Sequence, residues 1–257
     1  MTERLSDATL AALEPGIARP AYDRGSLRHG IVHLGVGAFH RAHQAVYTEA
    51  VLSSGDTGWG IVGVSLRSPD TRDALTPQDG LYTVAVRDAT GESLQVVGAI
   101  TSLLVAPESP AAVLDALTAP DTRIVSLTVT EKGYCHKPAT GELDEGNADI
   151  VHDLAAPATP KSAIGYLVEA IARRRAAGLA PFTVLSCDNL PSNGETVRRV
   201  VTRFAEMRDP DLAAYIGGAV TFPSTMVDRI VPATTDADRQ TVADALGLVD
   251  AWPIATE

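Results

Sequence analysis

From Gly30 onward, short apolar runs rich in β-branched residues alternate with longer stretches in which apolar residues recur at helical spacing. That alternation is expected of a parallel sheet joined by crossover helices. The runs predict strands near 31–35, 60–66, 123–129 and 182–187, and helices near 39–53, 109–118 and 161–177, with another after residue 192. The helix over 161–177 has the clearest pattern: Ile164, Leu167, Val168 and Ile171 share one face, and Gly178 ends it. This face is expected to cover the sheet. The runs 81–86 and 93–98 flank Asp88-Ala89-Thr90-Gly91-Glu92 and predict an inserted antiparallel hairpin, a departure from the simplest doubly wound pattern. Residues 133–160, with their glycines, prolines and acidic side chains, predict a long loop with at most a short helix. A loop of that length in a compact domain is either functional or hides unread elements. Residues 1–27 read as an N-terminal extension, and no internal repeat stands out.

Composition narrows the function classes. With 257 residues, 45% of them hydrophobic and 21% charged, the chain reads as a soluble globular protein able to bury a substantial core. A formal charge of −11 argues against nucleic-acid or anionic-membrane surfaces, which call for a basic stripe. The run Arg173-Arg174-Arg175 falls on a predicted helix and is expected to be a solvated face. No apolar segment approaches bilayer length, and Met1-Thr2-Glu3-Arg4 lacks the order of a signal peptide, so the cytoplasm is the expected address. Cys135 and Cys187 fit neither a metal spacing nor a disulfide framework and are expected to be reduced, partly buried thiols. His40 and His43 can share a helix face, but no third and fourth ligand has metal spacing, so no metal is expected.

In an open α/β sheet, ligands bind beyond the carboxyl ends of the strands, which gives the residues just after each predicted strand priority. Ile31-Val32-His33-Leu34-Gly35-Val36-Gly37-Ala38-Phe39-His40-Arg41 delivers two glycines into a helix start. A dinucleotide pyrophosphate needs this layout: Gly35 for the tight turn, Gly37 for close backbone approach, and a helix N-terminus aimed at the phosphates. His40 stands where the usual fingerprint has its third glycine. Arg41 can reach a phosphate oxygen or be a surface arginine. In Ser65-Leu66-Arg67-Ser68-Pro69-Asp70, an acid would accept from ribose hydroxyls, whereas Ser65 and Arg67 would suit a 2′-phosphate. The third cluster, Thr128-Val129-Thr130-Glu131-Lys132-Gly133-Tyr134, is a strand end with a glycine turn among polar groups. In the fourth, Ser186-Cys187-Asp188-Asn189, the Asn189 amide either forms an Asx turn or donates to a substrate carbonyl oxygen as charge builds there. Ser192 and Glu195 have capping-box spacing and are expected to start the next helix. No Tyr-x-x-x-Lys pair and no P-loop occur, so short-chain dehydrogenase and P-loop NTPase sites are not supported.

A further stretch, Val220-Thr221-Phe222-Pro223-Ser224-Thr225-Met226-Val227-Asp228-Arg229-Ile230-Val231-Pro232, resembles the signature of the mannitol dehydrogenase family of long-chain polyol dehydrogenases. The segments beginning at Gly35, Thr128 and Ser186 resemble that family in order, so the likeness covers the chain from about residue 29. Four matches in order argue against chance. The resemblance implies a Rossmann-type, doubly wound α/β domain over 28–257 that binds NAD through Gly35, Val36, Gly37, Phe39, His40, Arg41, Thr130 and Glu131. It also places the acid that selects NAD over NADP at Asp70, with Pro69 in a neighbouring position that can be acidic, which leaves NADP open. Asn189 would support the oxyanion and contact cofactor, and Asp228 would bind substrate hydroxyls unless it pairs with Arg229 or another cation.

Moving hydride between a secondary alcohol and a nicotinamide requires a group that accepts the hydroxyl proton. The family places it on a lysine of a C-terminal helical domain, followed at helical spacing by Asn and His. Lys132, Lys137 and Lys161 are the only lysines here, and none has that continuation. The ending Asp250-Ala251-Trp252-Pro253-Ile254-Ala255-Thr256-Glu257 resembles the lead into that domain, which is therefore expected in cis beyond this chain. The expected activity is that of a mannitol 2-dehydrogenase, interconverting a polyol such as mannitol and a ketose such as fructose. Fructuronate reductase and a non-catalytic NAD-binding module are the alternatives. Apolar surface is expected near residues 220–257, where the second domain would pack.

Overall fold

The computed structural model describes residues 3–88, 91–227 and 229–256. Strand β1 (Ile31–Leu34) leads into a short helix α1 (Ala38–Ala42) and then α2 (Gln44–Ser53), and β2 (Ile61–Ser65) is followed by α3 (Asp70–Leu75). The hairpin β3 (Tyr82–Asp88) and β4 (Gly91–Val97) runs into β5 (Ile100–Val105) and α4 (Pro110–Thr118). Next come β6 (Ile124–Leu127), α5 (Thr130–Gly133), α6 (Ala148–Ala155) and α7 (Ala163–Ala176). The chain continues through β7 (Thr183–Ser186), α8 (Asn193–Arg208), α9 (Pro210–Ala219), α10 (Asp236–Leu246) and β8 (Ile254–Thr256).

Five strands form a parallel sheet in the order β5-β2-β1-β6-β7. Ile31 lies opposite Ile61 and Ile124, and Val32 opposite Val62 and Val125, so the apolar runs pair in register. The chain builds outward from β1 through β2 and β5, then returns to lay β6 and β7 on the other side. The topological switch therefore falls between β1 and β6, where open α/β sheets hold ligands. This is the expected Rossmann-type arrangement.

Alternation along β1 divides the core. Val32 and Leu34 face a layer built from α4, α7 and α8, with Leu114, Ile164, Leu167, Ile171 and Phe204 buried against them. Ile31 faces the other layer, where Ala45 and Leu52 of α2 meet Tyr82 and Val97 of the hairpin. The side chains named on α7 bury about 1.5–3 kcal/mol each of apolar transfer energy, which holds that helix to the sheet.

The hairpin belongs to a second sheet in the order β4-β3-β8, with Tyr82 opposite Val97 and β8 parallel to β3. On its outer face Leu5, Leu13 and Ile17 pack with Ala85, Val96, Val242 and Leu246. Buried Asp250 fastens β8 in place, accepting from Thr83 N (2.6 Å), Gln78 Nε2 (2.8 Å) and Trp252 N (2.9 Å).

Three expectations need correction. The helix expected over 39–53 breaks at His43 (φ −117°, ψ −93°), so that His40 of α1 packs on His33 of β1 while α2 turns to the second core. Strands β5 and β8 and helices α3, α5, α9 and α10 stand where the pattern predicts no such element. Gly98-Ala99 separates β5 from β4 by two residues, too short a break to mark a new strand in the pattern. Arg174 is buried rather than solvated: its Nε donates to Ala180 O (2.8 Å) in the loop between α7 and β7, and its Nη1 to Ala119 O (2.7 Å), the C-cap of α4. The short helix allowed within 133–160 is α6.

Candidate functional site

A crevice of about 1060 Å³ opens at the carboxyl ends of β1, β2, β5 and β6, beside the topological switch. Gly35, Val36 and Gly37 form its head, Ser65 to Ser68 one wall, and Thr128 to Thr130 the opposite wall. His152, Lys161 and Ser162, at the junction of α6 and α7, close its far side.

Gly35 is required by the fold. Its φ is +97°, and a Cβ there would lie 2.2 Å from Thr128 O. Its amide donates to Val64 O at 2.8 Å, tying the turn to the end of β2. Gly37, the N-cap of α1, has φ −96°, and an added Cβ would find its nearest protein atom 3.8 Å away. The protein itself therefore makes no demand for glycine at 37. Beyond it, the first amides of α1 lack partners within the helix.

A buried polar network backs the turn. His33 Nδ1 lies 2.8 Å from Ser126 Oγ, and its Nε2 lies 2.8 Å from Thr128 Oγ1. Ser126 Oγ in turn lies 2.7 Å from Gln44 Oε1, and Thr128 Oγ1 donates to Gly35 O at 2.7 Å. The His40 ring stacks on His33 with centroids 3.4 Å apart, filling the space that a third glycine would leave open. Burial pushes the His33 imidazole down to about 3, and that of His40 well below its ordinary value. Both rings are neutral at physiological pH.

The other expected cofactor residues are distributed unevenly. Val36 lines the crevice, whereas Phe39 is half-buried with its ring on that of His43. Arg41 is buried behind the turn, where Nη1 donates to Trp252 O at 2.6 Å and its carbonyl accepts from Tyr82 Oη at 2.7 Å. Burial pushes this guanidinium down to about 10. Asp70 opens α3, is exposed, and accepts from Ser68 Oγ at 2.9 Å, beside the wall that Arg67 and Ser68 form.

Across the switch, Thr130 lines the crevice with φ +65°, a left-handed conformation that costs a β-branched residue ~1–3 kcal/mol and persists only when surroundings enforce it. Glu131, next on α5, is exposed. The enforcing group is Asp188, just past β7, which the sequence pattern did not single out. Its Oδ2 accepts from Val129 N (2.8 Å) and Tyr134 Oη (2.7 Å), and its Oδ1 from Thr130 N (3.1 Å). Tyr134 is buried and its Oη also meets Ser186 Oγ at 2.7 Å. Asn189 is exposed beside this knot.

The expected capping box does not form. Ser192 adopts φ +46° and makes no side-chain cap bond, because the chain must turn there to seat Asn193. Asn193 is the anchor instead: its Nδ2 donates to Asp188 O (3.1 Å) and Thr225 Oγ1 (2.9 Å), and its Oδ1 accepts from Thr225 N (3.0 Å). An Asx side chain shortly after a strand end was the available signal. Asp228, in the segment that Asn193 tethers, lies outside the described residues. Its neighbour Arg229 donates to Ala42 O, and Met226 and Ile230 are each 84% exposed.

Cys135 and Cys187 are free and buried, and burial pushes the thiols up to about 11 and about 12, which makes neither a nucleophile at neutral pH. Among the described residues no group of His, Cys, Asp and Glu is arranged to hold a metal, and no helix is long and apolar enough to cross a membrane.

The family model of the mannitol dehydrogenase Rossmann domain matches residues 29–257. A mannitol 2-dehydrogenase of Pyricularia oryzae is 46% identical over all of this chain and 52% of its own length. The D-mannonate oxidoreductase of Escherichia coli is 50% identical over 94% of this chain and 50% of its own. Among solved structures, the Pseudomonas fluorescens mannitol 2-dehydrogenase in ternary complex with NAD and D-mannitol superposes with a TM-score of 0.95 at 44% identity, covering 99% of this chain and 52% of that one. The chain thus spans about half the length of the curated relatives it matches. A parallel sheet reversing beside a glycine turn, sequence matches along nearly its whole length and a near-complete superposition agree that the chain belongs to the mannitol dehydrogenase family, of which it holds the Rossmann domain.

Proposed function

We propose that this domain binds NAD in the crevice at Gly35-Val36-Gly37 and serves an oxidoreductase that moves hydride between a polyol such as mannitol and a ketose such as fructose. The observation that supports it best is Gly37: glycine stands at the crevice head where no protein atom excludes a side chain, so the room serves something that enters from outside. A pyrophosphate approaching the first amides of α1 needs that room. When bound, the nicotinamide would supply the hydride acceptor or donor. Asp70 would accept from the adenosine ribose hydroxyls, and Thr130, Glu131 and Asn189 would border the other half of the dinucleotide. Asn189 would also donate to the substrate oxygen, and Asp228 would orient its hydroxyls. Phe39, His40 and Arg41 would act from behind, by shaping the turn. The proton-accepting lysine is expected in the part of the relatives' length that this chain does not span, and the cytoplasm is the proposed location.

Titration of residues 1–257 with NADH, beside NADH-oxidation assays with fructose and fructuronate, tests this reading. Binding without appreciable turnover is expected. Absence of binding would overturn it, and brisk mannitol oxidation abolished by changing Lys132 would overturn the assignment of the proton acceptor. The 50% identity to the E. coli D-mannonate oxidoreductase favours fructuronate as the second substrate to assay. If the chain binds nucleotide but never supports turnover when joined to the remaining length of a relative, it is a non-catalytic module.

A further inference from the structure

We propose that Asp188 is a positioning residue whose carboxylate sets the wall of the crevice against which the nicotinamide half of the dinucleotide rests, an inference that depends on the dinucleotide reading above. Doubly wound sheets place one mononucleotide on each side of the switch. Here β2, with Asp70 beyond it, takes the adenosine side, which leaves the β6 and β7 ends for the other half. On that side the wall is Thr128, Val129 and Thr130. This segment does not hold its own shape, since Thr130 sits in the left-handed region with no glycine to allow it. Three donors from one short stretch, Val129 N, Thr130 N and Tyr134 Oη, converge on the single Asp188 side chain. A carboxylate only accepts and has room for all three. An amide of the same shape offers one oxygen and turns its NH₂ group towards donors. The backbone carbonyl of Asp188 is itself held by Asn193, which fixes the carboxylate to the end of β7. The wall on the β6 side is therefore registered against β7 through one residue, and Asn189, next in the chain, is placed by the same knot.

The test compares NADH with ADP-ribose, which lacks the nicotinamide, on the intact chain and on Asp188→Asn and Tyr134→Phe. Asp188→Asn is expected to weaken NADH about ten-fold while changing ADP-ribose less than about two-fold, the scale of lost hydrogen bonds to a charged acceptor. The emission of bound NADH should move towards that of free NADH. Tyr134→Phe, which removes one of the three donors, should act in the same direction by about three-fold and stands in if the first variant does not fold. Equal loss of both ligands, or NADH affinity unchanged in a folded variant, would overturn the proposal and leave Asp188 a structural residue. If the unmodified chain binds ADP-ribose but not NADH, the nicotinamide wall is misassigned and the dinucleotide crevice is retained only for its adenosine side. If it binds neither, the dinucleotide reading falls, and this inference with it.

Discussion

Gly35 and Gly37 stand two residues apart at the head of the crevice and answer to different constraints. Gly35→Ala would force a Cβ to within 2.2 Å of Thr128 O at positive φ, so it is expected to destabilise the domain by about 2–4 kcal/mol, measured by urea denaturation. Gly37→Ala meets no protein atom closer than 3.8 Å and is expected to leave stability within about 1 kcal/mol while weakening NADH ten-fold or more. A large stability loss at 37, or unchanged NADH affinity, would contradict the division. Asp70→Ser should cost NADH about five- to ten-fold and leave NADPH unweakened, as read by parallel titrations. The glycines were legible because their chemistry is local. Arg41 was not: its guanidinium is committed to a carbonyl 211 residues away, Trp252 O, and a sequence position displays charge without the acceptors that folding brings to it.

Among the elements, α7 was the most legible, yet the feature that starts it is nonlocal. Ser162 caps the helix by accepting from Gly165 N at 2.9 Å, and buried Asp153 of α6 accepts from Lys161 N, Ser162 N and Ser162 Oγ at 2.7–2.9 Å. A Cβ on Gly165 would fall 2.1 Å from Asp153 Oδ2, so the two helices meet at that point. Asp153→Ala should leave those donors unpaired at the crevice's far side and cost about 2–4 kcal/mol, lowering the urea midpoint without changing the slope. A loss below 0.5 kcal/mol would show that water replaces the carboxylate. The break at His43 and the short β5 escaped the pattern for a common reason: periodicity reports which residues are apolar, and α1–α2 and β4–β5 both continue an apolar rhythm through a change of direction.

For the whole molecule, the neutral imidazole of His33 links stability to pH. Its folded pKa is about 3, below an unfolded value of about 6.5, so the unfolded chain binds the extra proton between these values. Its stabilising share is complete above pH 6.5 and is lost as pH falls towards 3. Between pH 6.5 and 5 the loss is about 2 kcal/mol, and His40, shifted in the same direction, steepens it. Melting temperatures at pH 7 and 5 should show a larger drop for the parent chain than for His33→Gln. Equal drops would exclude His33 as the cause. The same scale decides the second sheet, since β8 joins β3 across some 170 residues and Asp250 binds groups at 78 and 83.

By itself, the order of residues determined the Rossmann plan, the hairpin, the main strands and the glycine turn, because each depends on periodicity or on backbone freedom within a few neighbours. The tertiary structure alone decided which polar groups face the crevice. Asp188 became the centre of a wall, Asn193 an anchor and Arg41 and Arg174 interior caps only once distant carbonyls and amides were brought within hydrogen-bonding range. A buried polar atom must find a partner, and that partner is chosen by the packing of elements far apart in the chain.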